Sequence, residues 1–244
     1  MGAPDAAGGF YPIVLRLRER RALVVGGGKV AARKARGLLD AGARVVAVSP
    51  MFCPAFLRLV PAGAVSCIRR PYRTSDLADV SLVIAATDDP TVNARVRADA
   101  RRAGVWVSVV DDPGDSDFIV PAVVRRGDFL LAMSSCGASP GLVGHLRREL
   151  DRLVPEDVGF LVALLAKARG RIQRSVSDPC QRRELMSRLL ALDLLATLRT
   201  EGSDAAIRRV DGLIAAATGP PRAPHRGSPD AGRTPGHPAP AERP

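Results

Sequence analysis

Over its first 110 residues the chain alternates short apolar runs with segments of helical spacing. Arg21 to Gly28 reads RALVVGGG, and beyond it Val30, Ala31, Lys34, Ala35, Leu38 and Leu39 recur with the period of one helix face. Strand, tight turn and helix follow. Gly42 closes that helix, Arg44 to Val48 is a β-branched second strand, and Pro54 to Val60 reads as helical. Ala64–Ile68, Ser81–Ala86 and Val105–Val110 are predicted as further strands, with a helix over Pro90–Ala103 between the last two. Strands alternating with helices predict an α/β fold, with a parallel sheet covered on both faces.

Past residue 111 the texture changes. DDPGDSD is a polar turn, Phe118–Val124 and Phe129–Met133 read as two strands, and Ser139-Pro140 opens a helix with Ser as N-cap and Pro at the first position. From Pro155 to about Thr218 the pattern is helical only. It predicts a break at Ser175–Pro179, one helix across Leu185–Leu198, another break at Gly202-Ser203 and a last short helix. Residues 220–244 hold eight of the twenty prolines and no hydrophobic periodicity, which predicts a disordered tail.

Composition narrows the picture. Hydrophobic residues make up 46% and aromatics only 4%, so Ala, Val and Leu must build the core. The formal charge of +11 is carried almost wholly by arginine, and such a surface attracts nucleic acid, anionic lipid or a polycarboxylate. No zinc finger, RNP motif or aromatic-interleaved basic stripe is present, which argues against nucleic acid. No run approaches eighteen apolar residues, and MGAPDAAGGF has neither a basic nor an apolar signal region, so a cytoplasmic protein with no membrane partner is expected. Cys53, Cys67, Cys136 and Cys180 share no CxxC spacing, which predicts reduced thiols and no permanently bound metal.

Four places carry candidate chemistry. Gly26-Gly27-Gly28-Lys29-Val30-Ala31 fits G-x-G-x-x-A at a strand-to-helix turn: Gly26 for the turn, Gly28 for approach of a pyrophosphate, Ala31 for close helix packing. A plain structural turn is the alternative. The second strand ends Val48-Ser49-Pro50-Met51 with no acid to read a ribose 2′-hydroxyl, so spacing alone does not separate NAD from NADP, and Ser49 can serve a ribose hydroxyl. Ala85 to Asp89 ends the fourth strand, where Thr87 leaves room for a cofactor, or Thr87 or Asp88 caps the next helix. Asp111 and Asp112 end the fifth strand; one of them is a proton-transfer group, or both are turn carboxylates before Pro113. The loop Ser134 to Pro140 offers hydroxyls and N–H groups to a substrate carboxylate, with Ser139 as the cap. His145, on the helix that follows, is an acid, a base, a metal contact or a plain surface residue.

The segments YPIVLRLRERRALVVGGGKVAARKARGLLDAGARVVAVSP, IAATDDPTVNARV, VVDDPGDSDFIVPAVVRRGD and SSCGASPGL, taken in order from Tyr11 to Leu153, resemble the precorrin-2 dehydrogenases, including the N-terminal module of siroheme synthase and dehydrogenase/ferrochelatase relatives. The resemblance implies a Rossmann-type NAD-binding domain over 1–112, a dimerisation segment over 113–150, a small all-helical domain over 151–219, the tail over 220–244, and a homodimer. It implies NAD⁺-dependent oxidation of precorrin-2 to sirohydrochlorin, with Fe²⁺ insertion to siroheme as a second activity in many members. It places Gly26, Gly27, Gly28, Lys29, Val30, Ala31, Pro50, Met51 and Thr87 at the cofactor, makes Asp111 catalytic and leaves Asp112 unmarked. Ser135 matches a serine at the tetrapyrrole site that carries phosphate in a relative; Gly137, Ser139 and His145 are the substrate-side candidates beside it. Cys136 departs from the small residue common at its place. The carboxylate-rich substrate suits an arginine-rich surface. A non-catalytic NAD-sensing module is the competing reading, and the VVDDP and SSCGASP segments are what such a sensor does not need.

Overall fold

A computed structural model describes residues 9–60, 65–110 and 112–218. The chain forms two compact units, one up to Pro155 and one from Glu156 onward. In the first, β1 (Arg21–Val25), α1 (Lys29–Asp40), β2 (Arg44–Ser49), α2 (Pro54–Leu57), β3 (Val65–Arg69), β4 (Leu82–Ala85), α3 (Pro90–Arg102) and β5 (Trp106–Val109) follow one another. The five strands are parallel in the order β3-β2-β1-β4-β5. The chain steps outward from β1 to β3 and then returns to lay β4 on the other side of β1. The carboxyl ends of β1 and β4 are therefore the switch point, the place where open sheets of this kind bind ligands. The predicted α/β class holds, while the helix expected over Pro54–Val60 is only the single turn of α2.

Pleating sends alternate side chains to opposite faces. Ala22, Val24, Val45, Ala47, Leu82 and Ile84 pack under α1 through Ala31, Ala32, Ala35 and Leu38. Leu23, Val25, Val48, Val83, Ala85 and Val107 pack under α3 through Val96 and Ala100. Burial of a side chain such as Leu23 stabilises by roughly 1.5–3 kcal/mol. Small alanines on α1 bring helix and sheet close, which fixes where α1 begins relative to β1.

A polar network joins α3 to the segment before β4. Asp99, 3% exposed, accepts hydrogen bonds from the hydroxyls of Thr74 (2.7 Å) and Tyr72 (3.1 Å) and pairs with Arg102. These bonds, Thr74's first, hold its carboxyl below the usual range; burial and the nearby Asp99 charge push the Tyr72 phenol up. Asp76 is likewise held low, chiefly by Arg70, whose guanidinium nitrogens lie 2.9 and 2.5 Å from its two oxygens.

The outer edge of β5 is covered by the chain that follows. Asp117 accepts from the Val107 N–H through its carboxylate (2.9 Å) and donates its own N–H to the Val107 carbonyl (2.8 Å), and the Ser116 hydroxyl accepts from Val109 N–H (2.9 Å). The strand predicted from Phe118 therefore begins only at Ala122, because 116–117 serve the sheet edge and Pro121 has no N–H to offer a ladder. β6 (Ala122–Arg126) and β7 (Phe129–Met133) form an antiparallel hairpin across Gly127-Asp128. α4 (Pro140–Leu153) follows, tied back by Arg126, which donates to the carbonyls of Val154 (3.0 Å) and Asp151 (2.7 Å).

The second unit contains α5 (Asp157–Ser175), α6 (Pro179–Ala191), α7 (Leu194–Glu201) and α8 (Ser203–Thr218) around Ile172, Leu185, Leu189, Leu194, Val210 and Ile214. The single helix predicted across Leu185–Leu198 is broken at Leu192-Asp193. There the Asp193 carboxylate caps α7 by accepting from Ala196 N–H (3.0 Å). The last helix is 16 residues long, not short. Ala64 and the tail 220–244 lie outside the described residues.

Candidate functional site

The glycine turn is built by contacts that only a missing Cβ permits. Gly26 N–H donates to Val48 O (2.9 Å); the residue has φ 129°, and a side chain there would collide with the Ala86 carbonyl. A Cβ at Gly27 would collide with the Met51 carbonyl and lie 2.8 Å from Ser49 Oγ. Ser49 donates its hydroxyl to Met51 O (2.7 Å), so the group read as a ribose partner is already engaged in its own turn. Gly28 differs. It is exposed, and a Cβ on it would meet nothing within 4 Å. It N-caps α1 without a side chain, and no acid stands in the first turn, so the N–H groups of Lys29, Val30 and Ala31 face a space an anion can fill. Ala31 is fully buried, Val30 half-buried and Lys29 exposed. Pro50 and Met51, the latter 81% exposed, stand beside the turn at the end of β2. The residues present thus fit a dinucleotide: open backbone for phosphate and an exposed apolar shelf beside it.

The other lip of the crevice is the β4–α3 loop. Ala86 donates to Val25 O (2.8 Å) and its carbonyl stands against Gly26. Thr87 is half-buried and bonded to the Asn93 side chain. Neither Thr87 nor Asp88 caps α3: Asp89 does, accepting from Thr91 N–H (2.8 Å) and Val92 N–H (3.4 Å).

Asp111 lies outside the described residues. On its two sides in sequence, Val110 donates to Ala85 O (2.9 Å), and Asp112 donates to Val109 O (3.2 Å) while its exposed carboxylate accepts from Asp115 N–H (3.2 Å). A cavity of about 160 Å³ opens here, lined by Pro90, Asn93, Arg97, Val109, Val110 and Asp112. A wider cleft of about 820 Å³, lined by Arg20, Arg21 and Arg44 among others, sits at the opposite, amino edge of the strands, away from the glycine turn.

The loop before α4 reaches this carboxyl edge. Gly137 has φ 91°, and a Cβ on it would stand 2.8 Å from Pro113 Cγ, so the loop packs on the turn that follows Asp112. Ser135 Oγ accepts from Ser139 N–H (2.9 Å). Ser139 itself makes no side-chain cap, contrary to the sequence expectation; its ψ of 79° departs from the extended geometry in which an N-cap hydroxyl reaches the next turn. The first turn of α4 is left open as a result. His145 is exposed on the second turn of α4. Among the described residues no group of three or more His, Cys, Asp or Glu is placed to hold a metal ion. No helix among them is long and apolar enough to cross a membrane.

Two contributors escaped the sequence reading. Asn93 is a polar residue on the inward face of α3, a signal that was there to be found. Pro113 acts through packing on Gly137, which no local pattern reveals.

Residues 13–122 match a family model described as putative NAD(P)-binding. The chain is 38% identical over 211 residues to siroheme synthase 1 of Aeromonas salmonicida, covering 86% of this chain and 45% of that protein. It is 41% identical over 198 residues to the siroheme synthase of Tolumonas auensis, covering 81% and 42%. It thus spans less than half the length of these curated relatives. Among solved structures, SirC, a precorrin-2 dehydrogenase, matches with a TM-score of 0.66 at 26% identity, over 83% of this chain and 100% of that one.

Proposed function

We propose that this chain is a member of the precorrin-2 dehydrogenase family and oxidises precorrin-2 to sirohydrochlorin with NAD⁺. The observation that carries the reading is the convergence of three loops on one sheet edge: the open Gly28 turn, the end of β5, and the Gly137 loop packed on Pro113. Gly26, Gly27, Gly28, Lys29, Val30 and Ala31 hold the pyrophosphate on the start of α1, Pro50 and Met51 flank the adenosine, and Thr87 borders the nicotinamide end. Bound there, NAD⁺ supplies the acceptor for two electrons and one hydrogen from the macrocycle. The second hydrogen leaves as a proton, which Asp111 accepts as a general base. Ser135, Gly137 and Ser139, with the open first turn of α4, receive a carboxylate arm of the substrate, and His145 stands one turn further on.

The same reading makes 1–112 the cofactor domain, 113–150 a dimerisation segment and 151–219 a helical domain. Support for a homodimer comes from α4, which buries no residue and leaves Leu142 (55%), Leu146 (44%) and Leu153 (73%) exposed. A cytoplasmic location suits a soluble dinucleotide and cysteines that are all free among the described residues.

The deciding experiment incubates the purified chain anaerobically with precorrin-2. Sirohydrochlorin absorbance is expected with NAD⁺ and at background without it, and Asp111→Ala should slow the change by about 100-fold or more. NAD⁺ binding without oxidation would leave the sensing module. Fe²⁺ added afterwards reports on the second activity: siroheme forming faster than in protein-free buffer makes the chain a chelatase as well.

A further inference from the structure

We infer that Asn93 is a positioning residue for this oxidation, setting the β4–α3 lip of the crevice through Thr87; the inference rests on the crevice being an NAD⁺ site. Asn93 lies in the first turn of α3 and is 9% exposed. Its amide closes on a single residue. Oδ1 accepts from the Thr87 N–H (3.2 Å) and the Thr87 hydroxyl (2.8 Å), and Nδ2 donates to the Thr87 carbonyl (3.0 Å). One side chain therefore engages every polar group of Thr87. Only a group that accepts and donates at once can do so, which among side chains of this size means an amide.

Asp89 already caps α3, so Asn93 is not needed to start the helix. Its consequence is felt one residue earlier. Thr87 follows Ala86, whose carbonyl touches Gly26, the point at which the two lips of the switch-point crevice meet. Asn93 also lines the small cavity beside Val110 and Asp112, the neighbours of Asp111 in sequence. It thus links the glycine turn, the β4 lip and the end of β5. Misplacement of reacting groups by about 1 Å costs roughly 100-fold in rate, so a residue that fixes the lip acts on turnover without touching substrate.

The test uses the full chain as wild type, Asn93→Ala, Asn93→Asp and, as a control for stability alone, Val96→Ala on the same helix, where Val96 is fully buried in the core. Unfolding midpoint, Kd for NAD⁺, and kcat and KM with precorrin-2 are measured for each. Asn93→Ala should weaken NAD⁺ about tenfold and lower kcat about tenfold or more, with KM for precorrin-2 within about twofold. Val96→Ala should lower the midpoint and leave Kd and kcat in place. Asn93→Asp keeps the acceptor and loses the donor; it should fall between wild type and alanine, and it carries the test if the alanine variant does not fold. Asn93 variants that lose stability as Val96→Ala does, with unchanged Kd and kcat, overturn the inference. Wild type that binds NAD⁺ without oxidising precorrin-2 defeats the activity reading instead, while the Kd values still decide the role of Asn93.

Discussion

The turn after β1 and the loop before α4 both present an uncapped helix start to the same crevice, yet they rest on different foundations. Behind the first, α1 buries Ala31, Ala32, Ala35 and Leu38 against the sheet, and Gly27 presses on the Met51 carbonyl. Behind the second, α4 buries nothing, and its placement depends on Arg126 and on one glycine–proline contact. The residues proposed for the cofactor rest on packing within one chain. The proposed substrate side has an exposed apolar helix face, so its precision is proposed to come from a second copy.

The hardest blow to that contrast is Gly27→Ala. The added methyl has no room, and a loss of about 3 kcal/mol or more is expected in denaturant unfolding, with loss of NAD⁺ binding. Gly28→Ala sharpens the comparison: its Cβ enters open space, so stability should hold while NAD⁺ affinity falls about tenfold or more in a binding titration. On the other side, Leu146→Glu should convert the proposed dimer to monomer in sedimentation and leave NAD⁺ affinity unchanged; a wild type that sediments as a monomer refutes the dimer, and a dimer that survives the substitution places the contact elsewhere. Asp99→Asn should cost about 1–3 kcal/mol in the first unit alone. Because the Asp99 carboxyl is held low in the folded state, its contribution is complete above pH ~4 and is lost as pH falls through the lower folded value. The variant should therefore show a flatter acid limb in a pH series of unfolding midpoints. The smallest effect is at Cys136, a non-glycine residue at φ 52°. Cys136→Gly should relieve strain and change stability by no more than about 1 kcal/mol, read as a small rise in the midpoint.

Most of the parallel sheet was legible because β1, β2, β4 and β5 are apolar runs rich in valine or isoleucine and set off by glycine or a helix, so period and punctuation agreed. The glycine turn was legible for the same reason. Errors fell where a side chain or loop overrode local pattern. Ser116 and Asp117 displaced the start of β6, Asp193 divided a leucine-rich stretch into two helices, and Ser139 at a cap position bonds nothing with its hydroxyl because of its backbone angle. Pro113 was invisible as a site component, since its role comes from a residue brought near by folding, and Asn93 showed only as a polar residue on the inward face of α3.

The way β5 finishes has a consequence beyond the chemistry. An outermost strand with bare amides is a template on which any extended peptide, including one from an identical molecule still emerging from the ribosome, can lie down and start a fibre. In this chain Ser116 and Asp117 already occupy Val107 and Val109, so they act as a stopper bound to the sheet itself. Resistance to clumping is thereby written into two small polar side chains.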